Sequence, residues 1–288
     1  MTPMSKPLPD TLEARYAEVN GRIADAAAKA GRKASEVILV AVTKNAEPEQ
    51  IKGLLNLGHR DFGENRAQVL IQHAAIVDEA IQRMKMLPSA RKTLPDSGAS
   101  LFDRGVELKP LAKDAPALGV RWHMIGHLQR NKARKVFDLV RLVHSCDNLR
   151  LAEELQTIAV KKDVPVEVLL QVNCSGEEQK HGCPLPAAIP LAEQMATMLN
   201  IRIRGLMTMA SNVTNPEDAR PAFSRLRDLF EEMRTMKLTD APFNILSMGM
   251  SNDYEVAISE GANVVRVGSA IFGESTMIER EELPEAED

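Results

Sequence analysis

The stretch SMGMSNDYEVAISEGANVVRVGSAIFG, Ser247–Gly273, decides how this chain is read. It parses as a loop, a short helix, a strand and a turn. Asn252 can cap the helix with Glu255 reaching back three residues later, and Gly261 suits the left-handed position just past its end. The strand Asn263–Val267 carries Arg266 near its C-terminal end and runs straight into Gly268 and Ser269. Ser247, Gly249 and Ser251 before the helix, and Gly268, Ser269 and Gly273 after the strand, are small enough to leave backbone N–H groups open to an anion. In a (β/α)8 barrel the loops after the last two strands are the usual phosphate cradle. The same residues also suit ordinary tight βα turns, so spacing alone leaves both readings open.

Upstream of this unit the same alternation recurs. Val37–Val42 is an apolar run with no polar alternation, as expected of a strand covered on both faces in a parallel sheet. Pro48–Asn56 follows as a helix with proline in its first turn. His59–Phe62 precedes a helix beginning near Glu64, Arg121–Ile125 precedes Asn131–Leu139, and Arg141–His144 precedes Asn148–Lys161. Val166–Val172 precedes Pro186–Leu199, Ile201–Met207 precedes Pro216–Met236, and Phe243–Leu246 precedes the closing unit. Eight such units predict an α/β fold, a closed (β/α)8 TIM-like barrel, with an extra amphipathic helix, Leu12–Ala30, ahead of it. The expected organisation is one barrel domain over residues 1–288. The Pro-, Gly-, Ser- and Lys-rich segment 88–119 reads as a surface insertion and 279–288 as an acidic tail.

Composition narrows the function. A hydrophobic content of 44% and a charged content of 26% are those of a globular protein with a full core. A net charge of −4 argues against nucleic acid or an anionic membrane as a general partner. Cys146, Cys174 and Cys183 cannot all pair and lack CxxC spacing, which fits a reducing compartment. With no targeting pattern at the N-terminus and no apolar run of membrane length, a cytoplasmic protein is expected.

Several residues can carry chemistry. Lys44 follows the first strand directly, where a barrel residue points into the mouth. A partly desolvated amine there can attack an aldehyde; the alternative is a solvated lysine. Arg266, at the matching end of the eighth strand, can hold an anion or face an aromatic ring nitrogen, or it can pair with a carboxylate. Being always protonated, it would leave an adjacent pyridine nitrogen unprotonated and the ring a weak electron sink. Asn65, in FGEN, can bond a phenolic or carbonyl oxygen or simply cap a helix. His123 and His127 are four apart on a strand and its loop, without a third ligand, and Cys174, Cys183 and His181 form only a loose group; no metal is expected from either. The basic run Arg130–Lys135 is read as a solvated face that can attract an anion or a partner.

Eight segments occur in order over nearly the whole chain: VAVTK ending at Lys44, FGEN ending at Asn65, WHMIGHLQRNK from Trp122 to Lys132, HSCD from His144, LQVNCSG from Leu170, RGLM from Arg204, LSMGMS from Leu246 and VRVGSAIFG from Val265. Together they resemble the pyridoxal-phosphate homeostasis protein family, whose single barrel is similar to the barrel domain of bacterial alanine racemase (fold type III). The resemblance implies that Lys44 forms the internal aldimine with pyridoxal 5′-phosphate (PLP). It implies that Ser247, Gly268 and Ser269 hold the phosphate, that Arg266 lies near the pyridine nitrogen, and that Asn65 and His123 lie beside the ring.

It further implies a role in intracellular PLP (vitamin B6) balance, binding and buffering the cofactor and passing it to PLP-dependent apoenzymes, with little or no catalysis. A racemase needs a second acid/base across the substrate α-carbon. In alanine racemase a tyrosine of an added C-terminal domain supplies it, whereas the tyrosines here are Tyr16 and Tyr254. Two rivals stand beside this reading: a PLP-dependent racemase or lyase of small amino acids, and a lysine-dependent aldolase acting on a sugar phosphate without the cofactor. A monomer is expected. The sequence departs from the family pattern at Thr43, where serine is frequent, at His127 and Arg130, which replace smaller residues, and in its long insertion.

Overall fold

A computed structural model describes residues 9–86, 119–177, 179–238 and 241–273. Apart from residue 119, the expected insertion lies outside the described residues, as does the acidic tail at 279–288.

Strand β1 (Ile38–Val42) is buried through its centre and takes parallel partners on both sides, β2 (Asp61–Glu64) and β9 (Val264–Val267). From β2 the sheet continues through β3 (Arg121–Met124) to β4 (Val140–Cys146), and from β9 through β8 (Ile245–Ser247) and β7 (Ile201–Met207) to β5 (Val166–Asn173). Pairing of β4 with β5 closes the ring, so the expected eight-stranded parallel barrel is what forms. A further two-residue strand, β6 (Cys183–Pro184), adds to the far end of β5 and was not expected from sequence. Outside the strands lie α2 (Pro48–Asn56), α3 (Ala67–Met86), α4 (Arg130–Val136), α5 (Leu149–Lys162), α6 (Ala188–Ala196) and α7 (Arg220–Met236). Two short helices, α8 (Tyr254–Ser259) and α9 (Ser269–Phe272), finish the last units.

Helix α1 (Leu12–Lys29) precedes the barrel, and its start is capped by Thr11, whose Oγ1 accepts the Ala14 N–H at 3.2 Å. Its buried residues Val19, Ile23, Ala26 and Ala27 recur at helical spacing, which gives it one apolar face to lay on the barrel. Polar bonds tie it to the other end of the chain. Arg15 Nε donates to the Ile271 carbonyl at 2.7 Å, Arg22 pairs with Glu255 at 2.7 Å, and Arg32, just past the helix, donates from Nη1 to the Ala262 carbonyl at 2.7 Å.

Some boundaries differ from the sequence reading for local reasons. The second strand starts at Asp61 rather than His59, because His59 still closes the turn after α2 through its N–H to the Leu54 carbonyl at 3.0 Å. Glu64 ends that strand instead of opening a helix; its side chain is buried against Thr43 and His73. The capping box expected at Asn252 is absent. Asp253 precedes α8 and its Oδ1 accepts the Met250 N–H at 2.6 Å, while Glu255 is taken by Arg22. Gly261 does adopt a positive φ, +99°. Among the described residues no helix is long and apolar enough to cross a membrane.

Two layers of apolar packing result. Strand and helix side chains fill the large outer layer, whereas Val40, Leu142, Leu169, Met207, Ile245 and Val264, all from strands, form a separate small cluster. These six sit on the opposite strand faces, inside the ring, as alternation requires. Where β7 passes β8, Gly205 has φ +151°, and a Cβ there would lie 1.8 Å from the Ile245 carbonyl oxygen. Gly205→Ala should therefore lower stability by more than about 2 kcal/mol, because backbone must move. Urea unfolding checks this: the midpoint falls with an unchanged slope, and an unshifted midpoint would show that the strands have room to part.

Candidate functional site

The barrel interior is crossed by a line of bonded polar side chains. At its N-terminal end Asp61 and Arg121 face each other across β2 and β3, and the guanidinium donates twice, Nε to Oδ1 and Nη2 to Oδ2, each at 2.6 Å. His123 Nε2 lies 3.2 Å from Asp61 Oδ1, and its Nδ1 lies 3.0 Å from His144 Nε2 on β4. His144 Nδ1 lies 3.0 Å from Ser247 Oγ at the end of β8. Ser247 in turn accepts from Arg266 Nη1 at 2.6 Å, and Arg266 Nη2 donates to the Thr208 carbonyl at 2.9 Å. The line thus runs from the bottom of the barrel to the C-terminal ends of β7, β8 and β9.

Its proton arrangement follows from charge. Burial alone would raise Asp61, but the paired Arg121 and the His123 bond outweigh it and hold the carboxyl well below the usual range. A carboxylate only accepts, so His123 donates from Nε2. Burial lowers His123, and burial with neighbouring positive charge puts His144 well below its ordinary value, so both rings are neutral. His123 Nδ1 must then accept from His144 Nε2, His144 Nδ1 must accept from the Ser247 hydroxyl, and the Ser247 lone pairs are left to Arg266. Every bond is satisfied in one direction. Arg266 is 3% exposed and burial brings it down to about 10, still charged near neutrality. Among the described residues its hydrogen-bond partners are the hydroxyl and the carbonyl, and it makes no ion pair with a carboxylate.

The other expected residues gather at the mouth. Lys44 lies two residues beyond β1 and is exposed, as the solvated alternative has it. Thr43 before it is fully buried and donates its hydroxyl to Glu64, which also meets His73 Nδ1 at 2.7 Å. Asn65 is half-buried, and with α3 beginning at Ala67 the residue before that helix is Arg66, so Asn65 is not its cap. A Cβ on Gly126 would lie 2.3 Å from the Asn65 carbonyl oxygen, so the second and third loops touch backbone to backbone. β1 and β9 are neighbours, and a Cβ on Gly268 would come 3.2 Å from the Val42 carbonyl oxygen. The Gly268–Ser269 turn therefore lies beside the chain leading to Lys44. Ser251 Oγ accepts the Gly268 N–H at 3.2 Å and the Ala270 N–H at 3.5 Å, which marks this turn as a place for an acceptor oxygen.

His123, buried, and His127, exposed, do not converge, and Cys174 and Cys183 are buried while His181 is exposed. Sequence reasoning missed Asp61, Arg121, His144 and Thr208 as parts of this arrangement, whereas Ser251 was picked out with the small residues of the loop before α8. HSCD contained His144, but nothing in its spacing says that its ring lies between His123 and Ser247.

Residues 22–276 match the family described as alanine racemase, N-terminal domain. A pyridoxal phosphate homeostasis protein of Aquifex aeolicus is 35% identical over 260 residues, covering 90% of this chain and 96% of its own length. This chain belongs to the pyridoxal phosphate homeostasis protein family. Similar solved structures include two with their own coverage nearly complete. One is PipY of Synechococcus elongatus with PLP bound, 26% identical with a TM-score of 0.67, covering 91% of this chain and 100% of PipY. The other is an unknown protein from Bifidobacterium adolescentis, 34% identical with a TM-score of 0.72, covering 93% and 98%. For a homeostasis-family barrel, the interior line of polar groups gives a pH signature. His123 and His144 bind protons more readily unfolded than folded, so stability is complete above the unfolded value of about 6.5 and falls as pH drops below it, by up to about 1.4 kcal/mol per pH unit for each ring. His144→Gln should flatten the stability curve between about pH 6 and 5 by up to that amount for one ring, as read by urea unfolding across pH; an unchanged slope would mean that His144 is already protonated in the fold.

Proposed function

We propose that this chain binds PLP reversibly and covalently through Lys44, and serves intracellular PLP homeostasis rather than turnover of a substrate. One observation carries the reading: a charged arginine, Arg266, is buried at the C-terminal end of the strand beside Lys44's strand and is held by a hydroxyl and a carbonyl, not a carboxylate. A cation kept in that state suits a neutral heteroaromatic nitrogen or an anion. The neighbouring turn supports the same fit, since a Cβ on Gly268 would sit tightly at 3.2 Å from the Val42 carbonyl oxygen and the Gly268 N–H is directed to an acceptor oxygen.

When bound, the cofactor supplies an aldehyde for a lysine amine and an aromatic ring that can draw electrons. In our reading Lys44 takes the aldehyde, and the Gly268 and Ser269 backbone with the Ser251 hydroxyl takes the phosphate. Asn65 contacts the ring oxygen. Arg266 faces the ring nitrogen and, with a far higher proton affinity, keeps it unprotonated. Ser247 was expected at the phosphate; fully buried between His144 and Arg266, it serves instead to orient the guanidinium, with His123 behind it. A ring so held is a poor electron sink, which supports a carrier. So does the position of both tyrosines: the Tyr16 hydroxyl bonds His59 Nδ1 at 3.1 Å, and Tyr254 is buried at the start of α8. The partners in this reading are PLP and PLP-dependent apoenzymes that receive it, and the working form is a monomer in the cytoplasm.

The test is to load the purified protein with PLP, record its absorption, reduce with borohydride and map the modified peptide. One pyridoxyl group on Lys44 is expected, falling to background in Lys44→Ala, with amino-acid turnover by the loaded protein no faster than by free PLP. Label scattered over surface lysines would overturn the assignment of Lys44. Rapid racemisation or cleavage of several amino acids, lost in Lys44→Ala, would instead make the protein an enzyme.

A further inference from the structure

We propose that His127, Asp147 and His181 form a site for one first-row divalent transition-metal ion of the zinc class. These residues come from three different loops at the C-terminal ends of the strands: after β3, directly after β4, and between β5 and β6. One ligand atom from each lies within 4.8 Å of the other two. The two imidazoles are side by side, with ring centroids 4.7 Å apart and planes 14° from parallel. A tetrahedral ion bound at about 2.0–2.1 Å would draw such atoms to about 3.3 Å from one another. That requires a shift of only about 1 Å per side chain, and both histidines are exposed and free to turn.

The carboxylate is prepared for a cation. Asp147 Oδ1 accepts from Asn148 Nδ2 at 2.6 Å and Oδ2 accepts from the Gly182 N–H at 3.3 Å. Both donors are uncharged, so they orient the group without neutralising it, as outer partners of a metal ligand do. Arg130 and Arg150 line the same open cleft of about 920 Å³, yet among the described residues neither pairs with Asp147. Two imidazoles and one carboxylate suit a borderline ion such as Zn²⁺ better than Ca²⁺ or Mg²⁺, which prefer oxygen. Nearby Cys183 and Cys174 are buried and are not among the three residues whose ligand atoms converge, so the donor set is nitrogen and oxygen rather than sulfur. Three protein ligands leave a fourth position for water, the arrangement of an open site. His127 and Asp147 line the cleft, so that position opens into it.

The strand order puts this site across the mouth from Lys44. Going round the ring, β4 is diametrically opposite β9 and β5 is opposite β1. Metal binding at the three loops is therefore separable from anything held at Lys44, Gly268 and Ser269.

The experiment uses the full chain, stripped with chelator and dialysed, and titrated with Co²⁺ under visible absorption, then with Zn²⁺ in competition. Expected is one Co²⁺ per chain, with d–d bands, no thiolate charge-transfer band, and displacement by Zn²⁺. His127→Ala and Asp147→Asn should each weaken binding by about 100-fold or more, with circular dichroism of the metal-free variants unchanged. His181→Cys, which keeps a ligand, should retain one Co²⁺ and gain a thiolate charge-transfer band. That gain would establish residue 181 as a ligand even if an alanine variant folds poorly. Binding weaker than to free histidine, binding untouched by His127→Ala and Asp147→Asn, or a thiolate band in the unaltered protein would each overturn the site.

Discussion

The barrel is organised around a buried charge, Asp61, and the groups that neutralise it. A carboxylate at that position is tolerable only because Arg121 meets both of its oxygens and His123 donates to one of them. That first donation fixes the tautomer of His123, which fixes that of His144, which fixes where the Ser247 proton points. What reaches the mouth is a serine oxygen able to accept from Arg266, and so an arginine held with its charge intact. A polar line with every member satisfied also rigidifies the core it crosses, since displacing one group would leave its neighbours buried and unpaired. The small apolar cluster inside the ring is correspondingly reduced to six strand residues.

The fold was legible because β-branched runs such as Val37–Val42 and Val166–Val172 can hardly be anything but strands covered on both faces, and each was followed by a helix of ordinary length. Errors arose where a side chain was claimed by a partner far away in sequence. Asn252 and Glu255 have the spacing of a capping box, but Arg22, over two hundred residues earlier, takes the glutamate. Glu64 has the composition of a helix start, but Thr43 and His73 draw it into the barrel wall. The mouth was legible in kind: Lys44, Arg266, Gly268 and Ser269 were all picked out from their positions at strand ends. The interior was not, because Asp61, His123, His144 and Ser247 are brought together only by ring closure, which no local pattern encodes.

The two halves of the mouth are built differently. On the β1, β8 and β9 side, backbone N–H groups, a buried guanidinium and an exposed amine form an electropositive wall. On the β3, β4 and β5 side lie exposed imidazoles and the half-buried carboxylate of Asp147, whose hydrogen-bond donors are neutral. A barrel permits this because each βα loop is an independent insertion on a common rigid ring. Chemistry on one side can therefore change without disturbing the ladder beneath the other.

The bonds from α1 to the last two units bear on how the molecule folds. Arg15 and Ile271 are 256 residues apart, yet they are joined directly. Much of the surface that α1 packs on, α8 and α9, thus lies more than two hundred residues further along the chain. Contacts of such long range are slow to form, because the chain entropy must be surrendered before they return anything. Through Arg15 and the Ile271 carbonyl, docking of α1 braces the turn at Gly268–Ser269. In folding, that half of the mouth would therefore take its final shape only once this long-range contact has closed.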